Sequence, residues 1–214
     1  MRVKRARVRI SMTHMTIRTI LATVTRRCVA SSVVLGTVLA AVALYPALTF
    51  TQAAPALATD ITATDVQAVL NAPSPIADRL ITAVDMGTYN VGVGALRRGK
   101  TMPGAPVAAI NHEQITEVYY IISGTGTLLT GGTVIGAKAV AADNPIMSVV
   151  GPSNQGTFQK AAQRRKVGPG DVVIIPPGVY HGFDDVETGI DYLAVRPDPH
   201  KVLHAGYVHP AIKK

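Results

Sequence analysis

Gly170-Asp171-Val172-Val173-Ile174-Ile175-Pro176-Pro177-Gly178-Val179-Tyr180-His181 is the stretch on which the fold turns. A Gly-Asp turn feeds four consecutive β-branched residues, Pro176-Pro177-Gly178 stops them, and a histidine follows three residues after the glycine. β-Branched side chains favour extended backbone and proline cannot donate to a ladder, so the stretch reads as a buried strand over Val172 to Ile175 that breaks and returns with His181.

Similar signals recur outward from it. Leu80 to Val84, Tyr89 to Leu96, Val107 to Ile110, Glu117 to Ile122, Gly126 to Thr130 and Ile190 to Val195 are short, rich in β-branched or aromatic residues, and bounded by Gly, Pro, Asn or Asp. With almost no helical period between them, they predict an all-β barrel or sandwich. Between Thr130 and Lys166 the pattern weakens: Gly131-Gly132, Asp143-Asn144-Pro145 and Gly151 to Gly156 are turn chemistry, which predicts a long excursion with a strand at Ile146 to Val150. Arg164-Arg165-Lys166 reads as a solvated turn. One helix is expected, opened by a capping box at Thr64-Asp65-Val66-Gln67, running through Leu70 and stopped by Pro73 and Pro75.

The Gly170 to His181 stretch resembles the second motif of the cupin superfamily: Gly, five residues, Pro-x-Gly, two residues, His. Asp185 stands where the family often has Asn. The first motif runs Gly, five residues, His-x-His, three or four residues, Glu, six residues, Gly. Gly104, His112, Glu117 and Gly124 fit its longer register, with Ile110 where the first His belongs. The shorter register would put Asn111 and Glu113 in the two His positions and loses Gly104. The resemblance covers roughly Leu80 to Arg196 and implies a cupin-type jelly-roll β-barrel, with a short N-terminal helix before it and a C-terminal tail after it. It also implies a metal site made of His112, Glu117 and His181.

Three donors of this kind in a barrel mouth leave coordination positions open, which suits Fe(II) and accommodates Mn(II), Zn(II) or Cu(II). Ile110 and His112 share one strand face; Glu117 lies at an odd offset, so a turn or bulge around Gln114 to Thr116 has to restore its direction. By alternation Tyr119 and Ile121 face inward with Glu117, and Phe183 shares a face with His181. Ile110, Tyr119, Ile121 and Phe183 are therefore the expected lining of a mostly apolar pocket for a small organic ligand. Tyr119 is read as packing. His200, His204 and His209 lie beyond the motif strands and are not taken as ligands. Gly124-Thr125-Gly126 fails the phosphate-loop pattern and reads as a hairpin turn. No nucleophile stands beside a base, so acyl transfer has no support and no catalytic residue is assigned. A metal-dependent enzyme of dioxygenase or isomerase type, a non-catalytic binder that has lost the ion, and a structural module, with a homodimer through sheet edges as an option, all fit.

The charge of +8 does not point to nucleic acid. Eight of the 21 Lys and Arg residues precede residue 59, and the remaining 13 match the 13 acidic residues, all of which lie from Asp60 onward. The cationic run is the n-region of an export signal (1–28), followed by an apolar core (33–44) and the small-residue exit Ala56-Leu57-Ala58, with cleavage expected after Ala58. Val29 to Phe50 is long enough to span a bilayer, but Pro46 and the exit favour removal. The expected layout is signal peptide 1–58, N-terminal arm with helix 59–79, barrel 80–196 and tail 197–214, in a protein that is periplasmic or extracellular and free of the membrane after cleavage. Cys28, the only cysteine, would leave with the signal, which suits an oxidising compartment.

Overall fold

A computed structural model of the chain describes residues 57–213; the cationic and apolar parts of the expected signal lie outside the described residues. The first element is helix α1 (Ala63–Asn71). Its cap is Thr62, two residues before the expected one. Thr62 Oγ1 accepts from Asp65 N at 3.1 Å and Asp65 Oδ2 accepts from Thr62 N at 2.9 Å, a reciprocal pair that uses Asp at the third helical position. Val66, Val69 and Leu70 bury its apolar face against Ile81 and Ala95.

Nine strands follow: β1 (Asp78–Asp85), β2 (Asn90–Arg98), β3 (Ala108–His112), β4 (Glu117–Gly124), β5 (Gly126–Ala139), β6 (Ser153–Val167), β7 (Val172–Ile175), β8 (His181–Asp184) and β9 (Ile190–Asp198). One sheet has the order β1-β2-β9-β4-β7; the other, β3-β6-β5-β8, closes on itself through the pair Ile110 and His181. All pairings are antiparallel. Leu96, Tyr119, Ile121, Leu128, Phe183 and Tyr192 belong to a buried cluster to which both sheets contribute.

β4 pairs with β9 and β7, whereas β5 pairs with β6 and β8. Gly124-Thr125-Gly126 is therefore a corner between sheets and not a hairpin turn. Gly124 sits at φ +75, and a side chain there would collide with the Gly189 carbonyl. β7 and β8 likewise belong to different sheets, joined across Pro176-Pro177-Gly178, with Gly178 at φ +77.

β7 departs from the expected buried strand. It is the edge of its sheet, and only one face is covered: Val172 is 54% exposed and Ile174 66%. The region 130–167 departs further. It forms a long ribbon of β5 and β6, and Arg164-Arg165-Lys166 lies within β6, where Arg164 meets Asp184 at 2.8 Å. Most of the ribbon is exposed, so no hydrophobic alternation marked it. Its glycines serve strand irregularities, with register shifts at Thr133/Val134 and Ile135/Lys138.

Ile146 to Val150 is not a strand. Met147–Val150 is one helical turn, α2, closed by Gly151 at φ +69, and Asn144 Oδ1 starts it by accepting from Ile146 N at 3.0 Å. Val149 and Val150 bury against Leu80, Ile115 and Leu203. The tail runs along β1: Ala83 N donates to Tyr207 O and His209 N to Ile81 O, so the outer edge of that strand is partly covered.

Candidate metal centre

His112 ends β3, Glu117 begins β4 and His181 begins β8. Residues 113–116 are outside any strand, and this break turns Glu117 inward despite its odd offset from His112. One ligand atom from each of the three lies within 4.8 Å of the others, and all three residues are buried. His112 Nε2 is 3.4 Å and His181 Nε2 3.3 Å from the same oxygen, Glu117 Oε2.

The far nitrogen of each imidazole determines what the near one offers. His181 Nδ1 is 3.1 Å from the Val179 carbonyl, which can only accept, so that nitrogen carries the proton. His112 Nδ1 is 2.8 Å from Ser153 Oγ, whose own hydrogen goes to the Gly151 carbonyl at 2.9 Å, so Nδ1 of His112 is again the donor. In the neutral rings both Nε2 atoms are then lone pairs aimed at a carboxylate oxygen. His181 Nε2 is buried and makes no hydrogen bond. Burial pushes the His112 imidazole below its usual range, and the Glu117 carboxylate does not offset that, so protonation of His112 is a poor way to relieve the crowding. A cation shared by the three atoms relieves it, and the donor set fits a divalent ion.

Two further residues shape the centre that were not legible as site residues. Arg196 is wholly buried; its Nε donates to Glu117 Oε1 at 3.0 Å, and its Nη2 pairs with Asp78 Oδ2. Burial would raise the Glu117 carboxyl; the Arg196 guanidinium is the chief influence against it, and the carboxyl lies well below the usual carboxylate range. Burial prevails at Asp78, whose carboxyl is raised despite the same guanidinium. The signal for Arg196 was available: buried Ile190, Tyr192, Ala194 and Arg196 alternate along β9, and the expected strand ended one residue short. Gly94 makes the room, since a Cβ there would lie 2.6 Å from Arg196 Nη1.

Tyr119 does more than pack. Its hydroxyl donates to Glu117 Oε2 at 2.8 Å, and burial followed by the nearby carboxylate raises the phenol well above its ordinary range. A cavity of about 510 Å³ opens onto His112 and His181. Ile110 and Tyr119 line it; Ile121 and Phe183, expected beside them, are instead core residues, packed with Tyr192 and Leu128. Asn111 and Glu113 are turned aside: Asn111 Nδ2 donates to Gly178 O at 3.0 Å, and both side chains accept from Asn154 Nδ2. The longer register of the first motif is the one that faces the cavity. Asp185 holds φ +51 and accepts from Thr127 Oγ1 at 2.9 Å, a turn role that Asn would also fill.

Two facing antiparallel sheets, each motif crossing from one to the other, carry His112, Glu117 and His181 to one point. The fold is the cupin barrel. Among solved structures, the chain is similar to a double-stranded β-helix protein of Klebsiella pneumoniae subsp. pneumoniae at 14% identity, covering 67% of this chain and 93% of that one, with a TM-score of 0.39. A protein of Bacillus halodurans matches at 12% identity over 74% of this chain and 91% of that one, TM-score 0.40. A Cupin 2 conserved barrel domain protein of Salinispora arenicola matches at 15% over 56% and 74%, TM-score 0.34. No protein-family model and no curated protein matches the sequence. In this cupin barrel His200, His204 and His209 take no part in the triad.

Proposed function

We propose that the chain is an exported cupin-fold protein that holds one divalent metal ion through His112 Nε2, Glu117 Oε2 and His181 Nε2 and binds or acts on a small organic molecule in the adjoining cavity. The observation that carries this reading is the convergence of two Nε2 atoms on one carboxylate oxygen, at 3.4 and 3.3 Å, while each Nδ1 faces an oxygen that accepts. A bound ion would supply Lewis-acid or redox chemistry at its open positions. The chain's own groups would hold Glu117 ionised through Arg196, orient it through the Tyr119 hydroxyl, and fix both imidazoles through Ser153 and Val179. A cavity of about 510 Å³ falls within the range of small-molecule sites, roughly 300–1,000 Å³.

The test is elemental analysis of the mature protein, purified without a histidine tag, beside His181→Ala. One equivalent of Fe, Mn, Zn or Cu that is lost in the variant supports the reading, and its absence from both overturns the metal. Oxygen consumption and product analysis over phenolic and keto-acid compounds then separate an enzyme from a binder.

A second reading is a binder that has lost the ion. Arg196 favours it, because this cation already engages Glu117 from the side opposite the imidazoles. Export rests on the three-part leader and predicts a mature N-terminus at Thr59, which N-terminal sequencing of a fractionated culture checks. The neutral balance of the remaining chain supports a small molecule and not a nucleic acid as partner. A homodimer is supported by Tyr120, Val172 and Ile174, exposed together at the β4 and β7 edge, and sedimentation tests it.

A further inference from the structure

Arg98 ends β2 and lines the same cavity. Its Nε donates to Tyr192 Oη at 2.7 Å, and its guanidinium carbon lies 5.7 Å from the centre of the Phe183 ring. One nitrogen and one face of the guanidinium are thus fixed by the barrel core. The two Nη nitrogens make no hydrogen bond, and no carboxylate pairs with this side chain among the described residues. Asp78, which faces the same space, gives Oδ2 to Arg196, as Glu117 gives Oε1. Arg98 is therefore a permanently charged, partly buried cation presenting a planar fork to the cavity, anchored so that little freedom is lost when an anion meets it. A second cation, Lys138 on β5, is exposed on the cavity wall and has no ion-pair partner among the described residues. Ile76, Ile110 and Ile146 make much of the remaining wall apolar.

We propose that the cavity takes a small organic carboxylate with an apolar body, its carboxylate held by the Arg98 fork and its hydrocarbon part set against Ile76, Ile110 and Ile146. This rests on the reading of the cavity as a ligand site, and it names the ligand class and the residue that selects it. Arg98 is a binding residue here, with Tyr192 as its positioning partner. The fork discriminates by charge and by geometry, since an amide of the same shape offers one acceptor and no charge.

Calorimetric titration of the intact chain with 3-phenylpropionate and 3-phenylpropionamide tests this, in the wild type, Arg98→Met and Arg98→Lys, each before and after chelator treatment and with metal content measured on every sample. The acid binds the wild type at least about tenfold tighter than the amide, as a charge-assisted bidentate contact implies. Arg98→Met abolishes that preference, weakening the acid more than the amide, and leaves metal content as it was; Arg98→Lys retains part of it. Equal affinities for acid and amide in the wild type, no binding of either, or an undiminished preference in Arg98→Met overturns the proposal. A preference that disappears with chelation but survives Arg98→Met assigns the anion to the ion, which sinks this inference and supports the metal reading. A preference that survives chelation and needs Arg98 upholds it even where no ion is found. Should Arg98→Met fail to fold for want of its Tyr192 bond, the acid and amide comparison in the wild type and Arg98→Lys still decides.

Discussion

Arg196 and Glu117 meet with neither side chain more than 1% exposed, the guanidinium Nε donating to Oε1 at 3.0 Å. A buried pair of this kind adds little over an apolar equivalent while it is intact, and costs a great deal when one member is removed. Arg196→Met leaves Asp78 and Glu117 buried without their shared cation. The expected loss is about 3–5 kcal/mol of unfolding free energy, read from urea unfolding of metal-free protein. A midpoint within error of the wild type would show that the pair is dispensable.

Tyr119→Phe removes one hydroxyl and little volume. Glu117 Oε2 loses its donor, and the carboxylate loses the contact that fixes its orientation toward the imidazoles. Affinity for a divalent ion is expected to fall roughly tenfold, the lower end of what such supporting bonds contribute, as measured by competition with a chromophoric chelator. An unchanged affinity would return Tyr119 to a packing role alone.

Gly94→Ala adds a methyl group 2.6 Å from Arg196 Nη1 and 3.1 Å from Asp78 Oδ1. Glu117, Asp78 and the Val149 carbonyl hold the guanidinium so that it cannot retreat freely, and a destabilisation of about 1–3 kcal/mol follows from overpacking. Combining it with Arg196→Met in a double-mutant cycle is expected to cancel much of that cost, because the crowded atom is then gone. Additive effects would place the strain elsewhere.

Burial lowers the His112 imidazole below its ordinary 6.5. The unfolded chain then binds more protons than the folded one between 6.5 and the depressed folded value. In metal-free protein the stability contributed by this group is present above 6.5 and declines as pH falls through that window. Urea midpoints taken from pH 7.5 downward should drop, and His112→Gln should flatten the profile. A wild-type profile as flat as the variant's would contradict the assignment.

The strands that could be read in the sequence are those whose side chains alternate between core and solvent, or that run apolar between strong breakers. Glu117, Tyr119 and Ile121 bury while Tyr120 is exposed, as alternation required. The β5 and β6 ribbon left no such trace, because strand pairing and not burial holds its outer half, and its glycines resemble turns when read singly. β7 shows the reverse error: four apolar residues look buried on both faces, yet two of them lie open at a sheet edge. The triad was expected from the resemblance to the two cupin motifs, in which each residue stands at a set spacing from a Gly or Pro that shapes the backbone. Asp78 and Arg196 were missed, Arg196 despite its place in the β9 alternation, because a charge is read as surface until its partner is known, and theirs is remote along the chain.

That remoteness has a consequence for how the molecule comes to exist. Asp78 and Arg196 are 118 residues apart, and Arg196 belongs to the ninth and last of the described strands. A ribosome that has released the first eight strands has delivered both acids and neither the cation that reconciles them nor the central strand between β2 and β4. Such non-local closure is slow, and an incomplete chain has no stable interior to settle into. The polypeptide is thus expected to lack a stable interior until β9 has been made.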